Sequence, residues 1–424
     1  MGILGVKRAA WVLMLAVGTA VCGRLAAWRA WQPVERPTSG LVIYDADPNH
    51  IWNRVHDVLH VRTSSDGRQY GADDVDPLLW RSTKHLLTGK SHRDAIAVLD
   101  EFLSNHAERL ITDPERRAVF QHDLWKVFDW ADEASAEQTY AAAARELQVR
   151  LVQVMQRVAL TRSEIRGLAD NSPFPEFFDG RGPWVCVFPR GGGSAASTHA
   201  AFFSESTFLV FVRLPGGRQQ SLAYLKQLSD YPDPLIAKQN MLDQNPDIPQ
   251  FPAGTRSALV RQMMLIDTNG KIVPAHITES VQTRLYRTVP TNFMDTGERD
   301  EAEFDLSRED LFAGGSGGLR QLGPNDKRFP VFMTHDEDPF EQPKRSAGRF
   351  GPTAVLGSCS ACHEGSGIHS VCTYMCNARR PQIYFFLGDV VGLFEAKPDE
   401  MQQAYILAKQ SRHDFGLLEG LWGR

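Results

Sequence analysis

The sequence predicts an α+β, multidomain protein. An N-terminal helical domain is expected over residues 40–170, a central β-rich α+β domain over 171–345, and a C-terminal, mainly helical module over 346–424. Three observations carry this reading. Apolar residues recur at helical spacing up to about residue 170. From Asn171-Ser172-Pro173 onward the chain turns to Gly, Pro and short β-branched or aromatic runs. After a loop-like passage, Asp326 to Gly351, it becomes helical again. Composition sets the outer limits: 42% hydrophobic and 10% aromatic residues in 424 can fill real cores and exclude a mainly disordered chain. The balance of 46 Lys+Arg against 51 Asp+Glu, net −5, excludes the basic surface of a nucleic-acid binder. Six cysteines are too few for a disulfide-dense scaffold.

Residues 1–39 read as a signal peptide or membrane anchor. Lys7 and Arg8 precede the charge-free run Ala9–Gly23, the layout of a secretory leader. Reading on to Trp28, with only Arg24 interrupting, allows an uncleaved membrane tether over residues 9–28. The basic pair favours the cytoplasmic side, so the remainder is expected outside, in the periplasm or cell envelope. Gly18-Thr19-Ala20 offers a small-x-small cleavage site. Cys22 departs from a lipobox at Thr19 and Val21 and reads as an apolar residue of the leader.

In the helical region, Ala95, Val98, Leu99, Phe102 and Leu103 share one face after Ser91. Asp113 followed by Pro114 predicts an N-cap with proline at the first helical position. Ser135-x-x-Gln138 predicts a capping box that opens the longest helix, and Thr161-x-x-Glu164 a second box stapled by Leu160 and Ile165. In the β-rich region Trp184–Phe188, Thr207–Arg213 and Met263–Asp267 read as strands. Asn269-Gly270 is a hairpin turn leading into KIVPAHITES and SVQTRLYR. Ser221–Leu228 and Ser307–Leu311 read as short helices, and Pro398 opens a helix expected to reach about Phe415.

Four of the six cysteines fall between Cys359 and Cys376. Cys359-Ser360-Ala361-Cys362-His363 is a Cys-x-x-Cys-His pentapeptide, which residue frequencies alone would place in only roughly 0.3% of chains of this make-up. Two thiols one helical turn apart can bond both vinyl groups of a haem, and the adjacent imidazole can reach its iron. At Cys359, Cys362 and His363 the chain resembles c-type cytochromes. The resemblance covers the pentapeptide and the last 70–80 residues, while the rest is similar to large exported bacterial proteins that carry one such motif. It implies one covalent haem c held by Cys359 and Cys362, His363 as the proximal iron ligand, a cytochrome c-like module at 346–424, and electron transfer with a redox partner protein. An electron carrier is favoured over a catalyst, since nothing else in the chain forms an acid–base or nucleophile constellation.

Cys372 and Cys376 keep alternatives open. Four thiols spaced Cys-x2-Cys-x9-Cys-x3-Cys could hold zinc, with His363 or His369 as alternates, or close two disulfides with no cofactor. On those readings the protein is a structural or ligand-binding envelope protein. For a distal iron ligand Met401 is the first candidate, ahead of Met375, His369, Met333 and His335.

Weaker signals have plainer explanations. His56-Asp57-Val58-Leu59-His60 places two histidines on one helical face but has Asp57 where metalloprotease helices carry glutamate; a surface pair is expected. Gly314–Gly318 matches G-x-S-x-G but follows a helix instead of a strand. Gly191–Ser194 lacks the lysine of a phosphate loop, Asp45-x-Asp47-x-Asn49 reads as a turn and not a calcium loop, and Cys186 as a buried strand residue.

Overall fold

A computed structural model of the chain describes residues 42–63, 67, 69–73, 78, 83–189, 196–230, 235–238, 241–244, 247–291, 297–314, 317–322, 340, 367–371 and 393–423. The chain divides between Thr38 and Ser39, and all described residues belong to the second unit. The leader, Gly191–Ser194 and the cysteine cluster lie outside the described residues. Among the described residues no helix is long and apolar enough to cross a membrane.

The fold is mixed α+β. Ahead of helix α1 (Ile51–His60), Asp45 and Asp47 each accept a backbone N–H two residues on at 2.9 Å, so this acidic spacing builds Asx turns. Strands β1 (Arg62–Thr63) and β2 (Gln69–Tyr70) pair antiparallel. Helices α2 (Gly89–Ser104), α3 (Pro114–Ala134) and α4 (Ala141–Val158) form the helical layer, closed by α5 (Arg162–Arg166). Helix α3 starts as its sequence demands: the Asp113 carboxylate accepts the Arg116 N–H at 2.8 Å and Pro114 takes the first position. Thr161 and Glu164 make the reciprocal box of α5, with Leu160 and Ile165 buried in one cluster.

Ser135 behaves differently from its expected role. Instead of opening a helix it closes α3, its N–H bonded to Ala131 O at 3.0 Å and its hydroxyl donating to Asp132 O at 2.7 Å. Burial of Trp130, Ala131 and Ala134 carries α3 through 21 residues and consumes the serine as a terminator. Helix α4 then starts at Ala141 without a side-chain cap.

A seven-stranded antiparallel sheet runs in the order β10-β9-β8-β7-β4-β3-β11. In chain order its parts are β3 (Val185–Pro189), α6 (Ser197–Phe202), β4 (Ser206–Arg213), α7 (Arg218–Asp230), the separate pair β5 (Leu235–Lys238) and β6 (Met241–Gln244), β7 (Arg256–Ile266) and β8 (Ile272–Tyr286). There follow β9 (Arg299–Leu306), α8 (Arg308–Phe312), β10 (Leu319–Gln321), α9 (Ile368–Val371), β11 (Leu393–Glu395), α10 (Pro398–Gln410) and α11 (His413–Leu421). The β7–β8 turn is the one Asn269-Gly270 predicts: Gly270 has φ +68°, and Asp267 Oδ1 accepts the N–H groups of Asn269 and Lys271, each at 2.9 Å. Gly314, Gly317 and Gly318 also take positive φ between α8 and β10, while Gly315 and Ser316 of the G-x-S-x-G match lie outside the described residues.

The two segments read as KIVPAHITES and SVQTRLYR are one 15-residue strand, interrupted by a bulge. Arg261 pairs with Ser280 and Gln262 with Thr278, which leaves Glu279 without a partner across the ladder. Beside the bulge Asn171 substitutes for a strand residue. Its amide donates to Thr278 O at 3.0 Å and its carbonyl accepts the Thr278 N–H at 2.6 Å, both buried. Asn171→Ala strands both groups and is expected to cost about 1–3 kcal/mol, read from urea unfolding.

Helices and sheet share one apolar core. Trp52, Phe102, Phe120 and Trp125 from the helical layer belong to the same cluster as Phe208, Phe211 and Val260 of the sheet and Met401 and Phe415 near the C-terminus. Cys186 lies in that core on β3, where burial pushes its thiol up to about 12. The C-terminal helix expected to reach Phe415 stops at Gln410. The turn at Ser411–Arg412 lets Asp414 fold back to within 3.0 Å of Lys409, a contact an unbroken helix would forfeit.

Candidate functional site

Cys359, Cys362 and His363 lie outside the described residues, as do Met375, Met333, His335, Cys372 and Cys376. Met401 is described: it sits on α10, 3% exposed, within the apolar core. The described chain nearest the pentapeptide is Gly367–Val371, and it is firmly seated. Gly367 has φ +52°, and a Cβ there would come within 2.4 Å of Gln250 Oε1. The Ile368 N–H donates to that same oxygen at 3.2 Å. Ser370 is fully buried, its hydroxyl 2.7 Å from the Tyr286 hydroxyl, and Arg284 Nη1 donates to Ser370 O at 3.4 Å.

Arg284 is part of a polar stripe on the sheet. Across β4, β7 and β8 the register aligns Phe208 with Arg261 and Arg261 with Ser280, and alternation along β8 brings Ser280, Gln282 and Arg284 to one face. On that face α6 lays His199 against Phe208, ring centroids 5.8 Å apart. Arg261 stacks its guanidinium 3.7 Å from the Phe203 ring centre. Burial, helped by the Arg284 and Arg261 cations, pulls His199 down to about 4. It therefore stays a neutral imidazole with one nitrogen lone pair, the form in which histidine ligates metals.

Beneath this face lies a buried ionic network. Glu279, aimed inward by the bulge, meets His122 Nε2 at 3.0 Å, Arg261 Nη2 at 3.0 Å and Lys126 Nζ at 3.2 Å, and accepts from the Ser206 hydroxyl at 2.6 Å. Burial alone would raise the Glu279 carboxyl, but Arg261, His122 and Lys126 hold it well below the usual range. Next to it Lys409, 1% exposed, places Nζ 2.5 Å from Asp129, 3.0 Å from Asp414 and 3.0 Å from the Ser204 hydroxyl. Burial together with the Asp414 and Glu205 charges outweighs Lys409 at Asp129 and raises its carboxyl to about 7. A third knot joins Arg308 to Asp123 and Asp73, with the Tyr44 hydroxyl donating to Asp123 at 2.9 Å.

The His56–His60 pair, expected at a helix surface, is buried on α1 with its rings stacked 5.5 Å apart. Tertiary packing covers α1 on most sides, through Ile51, Trp52, Asn53, Val55 and Leu59. Among the described residues no group of three or more His, Cys, Asp and Glu side chains could hold a metal ion. Sequence reading missed His199, Glu279 and Lys409, since no local spacing announces residues whose partners come from other elements.

The arrangement places the neutral His199 imidazole against Phe208 on a sheet face that also carries Arg261 and Arg284, and Arg284 reaches the seated Ser370. The ionic network below it holds the supporting helices. No family model, no curated protein and no solved structure matches the chain.

Proposed function

We propose that the protein is an exported, mono-haem c electron-transfer protein. Haem is attached through thioethers to Cys359 and Cys362, with His363 as the proximal iron ligand and residues 346–424 as the haem-bearing module. The observation that carries this reading is the Cys-x-x-Cys-His pentapeptide in a chain that opens with a basic, then apolar leader. When bound, the group supplies one-electron chemistry at iron. The chain's own contribution is to seat the segment that follows the motif against Gln250, Tyr286 and Arg284.

The test is expression of the full chain with a haem-maturation system, followed by haem staining of the denatured band. The wild type is expected to stain, and Cys359→Ala with Cys362→Ala to abolish the stain completely. A stain-free wild type containing one zinc per chain would transfer the cysteine cluster to a structural role.

A further inference from the structure

We propose that the corner between α10 and α11 is a pH-dependent clasp, which holds α11 on α3 in mild acid and releases it as the medium turns alkaline. The proposal does not depend on the haem c reading. Its first ground is how little α11 is held by its own sequence. The helix has nine residues, no side-chain cap, and glycine at Gly416 and Gly420. A helix so short and so rich in glycine is marginal in water, and its docking sustains it. Ser411 and Arg412 separate it from α10, which is seated independently through buried Met401 and Tyr405. Docking of α11 rests on buried Phe415 and Leu418, with Phe415 6.3 Å from the Trp125 ring. Lys271 stands 3.5 Å from Glu419, and Gln156 donates to Trp422 O at 3.1 Å.

The second ground is that both ionic contacts at the start of α11 turn on a proton. At the first, the Lys409 ammonium lies within 3.0 Å of Asp129 on α3 and of Asp414 on α11, one cation for two buried carboxylates. Glu205, buried ahead of β4, adds its charge to Asp129, although Arg261 of β7 stands 3.4 Å from it. Arg412 bonds Asp414 at 2.8 Å, and the Ser204 hydroxyl donates to Asp129 at 3.1 Å. A proton on Asp129 removes the repulsion between the carboxylates, in keeping with its titration near 7. Moving α11 away takes Asp414 from Asp129 and admits water, so the released state gives up that proton more readily. At the second contact, exposed His413 places Nδ1 3.1 Å from Asp132 of α3, an ion pair only while the imidazole is protonated. The Asp132 hydrogen bond and charge, with Asp414 adding to them, raise His413 above its ordinary value. Both groups therefore bind their protons more tightly in the docked state. The contribution of Asp129 is lost between about pH 4 and 7, and that of His413 from about 6.5 upward. The two losses run in the same direction through adjoining windows.

The experiment is hydrogen exchange of the full-length chain at about pH 5.5, 7 and 8.5, read by mass spectrometry and corrected for the intrinsic pH dependence of amide exchange. Peptides covering α11 are expected to exchange ahead of those from α2 at every pH. Their protection should fall about tenfold across the range, the effect of a titration displaced by one unit. Asp129→Asn should remove most of that fall, and His413→Gln the part above neutrality. Protection of α11 that stays level or rises with pH would overturn the clasp. So would exchange of α11 in step with α2, since the helix would then leave only when the whole chain unfolds. A fall left intact by Asp129→Asn would have the same force. Should that variant fail to fold, His413→Gln decides, because its site is 83% exposed and packing does not need the ring. An alkaline fall that this substitution leaves untouched overturns the proposal.

Discussion

Arg308→Met is expected to lower the stability of the protein by about 3–5 kcal/mol, enough to erase much of the margin of an ordinary domain. Arg308 is 3% exposed at the first position of α8, and its guanidinium grips Asp123 through two bonds, 2.9 Å and 2.5 Å, while also bonding Asp73. Its backbone N–H donates to Asp73 as well, at 2.9 Å. The knot ties the segment before α1, through Tyr44, to α3 and to the chain leaving β9. Removing the cation leaves carboxylates with little compensation, because Lys126 stands 3.9 Å from Asp123. Burial pushes the Asp123 carboxyl up, but Arg308, Lys126 and His60 pull it well below the ordinary value. A depressed carboxyl adds stability that is present above the unfolded value, near 3.9, and is lost as pH falls through the folded one. The deficit of the variant should accordingly shrink below about pH 4. Urea unfolding at about pH 7 and about pH 3 reads both effects, and adding Asp123→Leu to the same chain should recover part of the loss. A deficit under about 1 kcal/mol at pH 7 would reduce the knot to the worth of a surface pair.

Lys409→Met should be nearly as damaging, although in the wild type the carboxyl it pairs with responds to acid in the opposite sense to Asp123. The ammonium is the close counter-charge to Asp129 and Asp414, so its loss is expected to cost about 3–5 kcal/mol above pH 7. In the wild type Asp129 titrates near 7, well above an unfolded aspartate, because burial and the Asp414 and Glu205 charges exceed the pull of Lys409. The folded state thus holds more protons than the unfolded one between about pH 4 and 7, and this group makes stability fall as pH rises across that window. Asp129→Asn should flatten that slope while preserving the fold. Lys409→Met should steepen it, since an unpaired Asp129 takes its proton still more readily. Stability measured by chemical unfolding from pH 5 to 8 gives each slope, and a Lys409→Met curve parallel to wild type would contradict the assignment.

What was legible in the sequence is what short-range chemistry decides. Asp113-Pro114, Thr161 with Glu164, and Asn269-Gly270 each satisfy their own backbone within a few residues, and each forms as read. The α+β class follows from the change of apolar period near Asn171, which the elements on either side reproduce. Failures came where tertiary packing overrules a local pattern. Ser135 carries a sound capping signature, yet burial of α3 carries that helix into it. Ser411 breaks a helix with good periodicity because Lys409 needs Asp414. The bulge that turns Glu279 inward has no signature in the strand that holds it, and His122, Lys126, Arg261 and Ser206 meet it from other strands and α3. His199 belongs with these: alone in its stretch of sequence it is an ordinary histidine, and only the folding of α6 over β4 sets its ring against Phe208.

The most direct measurement is the alkaline pyridine spectrum of full-length protein matured with haem, taken after acid–acetone extraction to remove any unattached porphyrin. A thioether-type haemochrome that survives extraction at one haem per chain is the predicted result. Haem that extracts entirely into the solvent, or a purified chain that never acquires it, would contradict covalent attachment at Cys359 and Cys362 and with it the electron-transfer assignment.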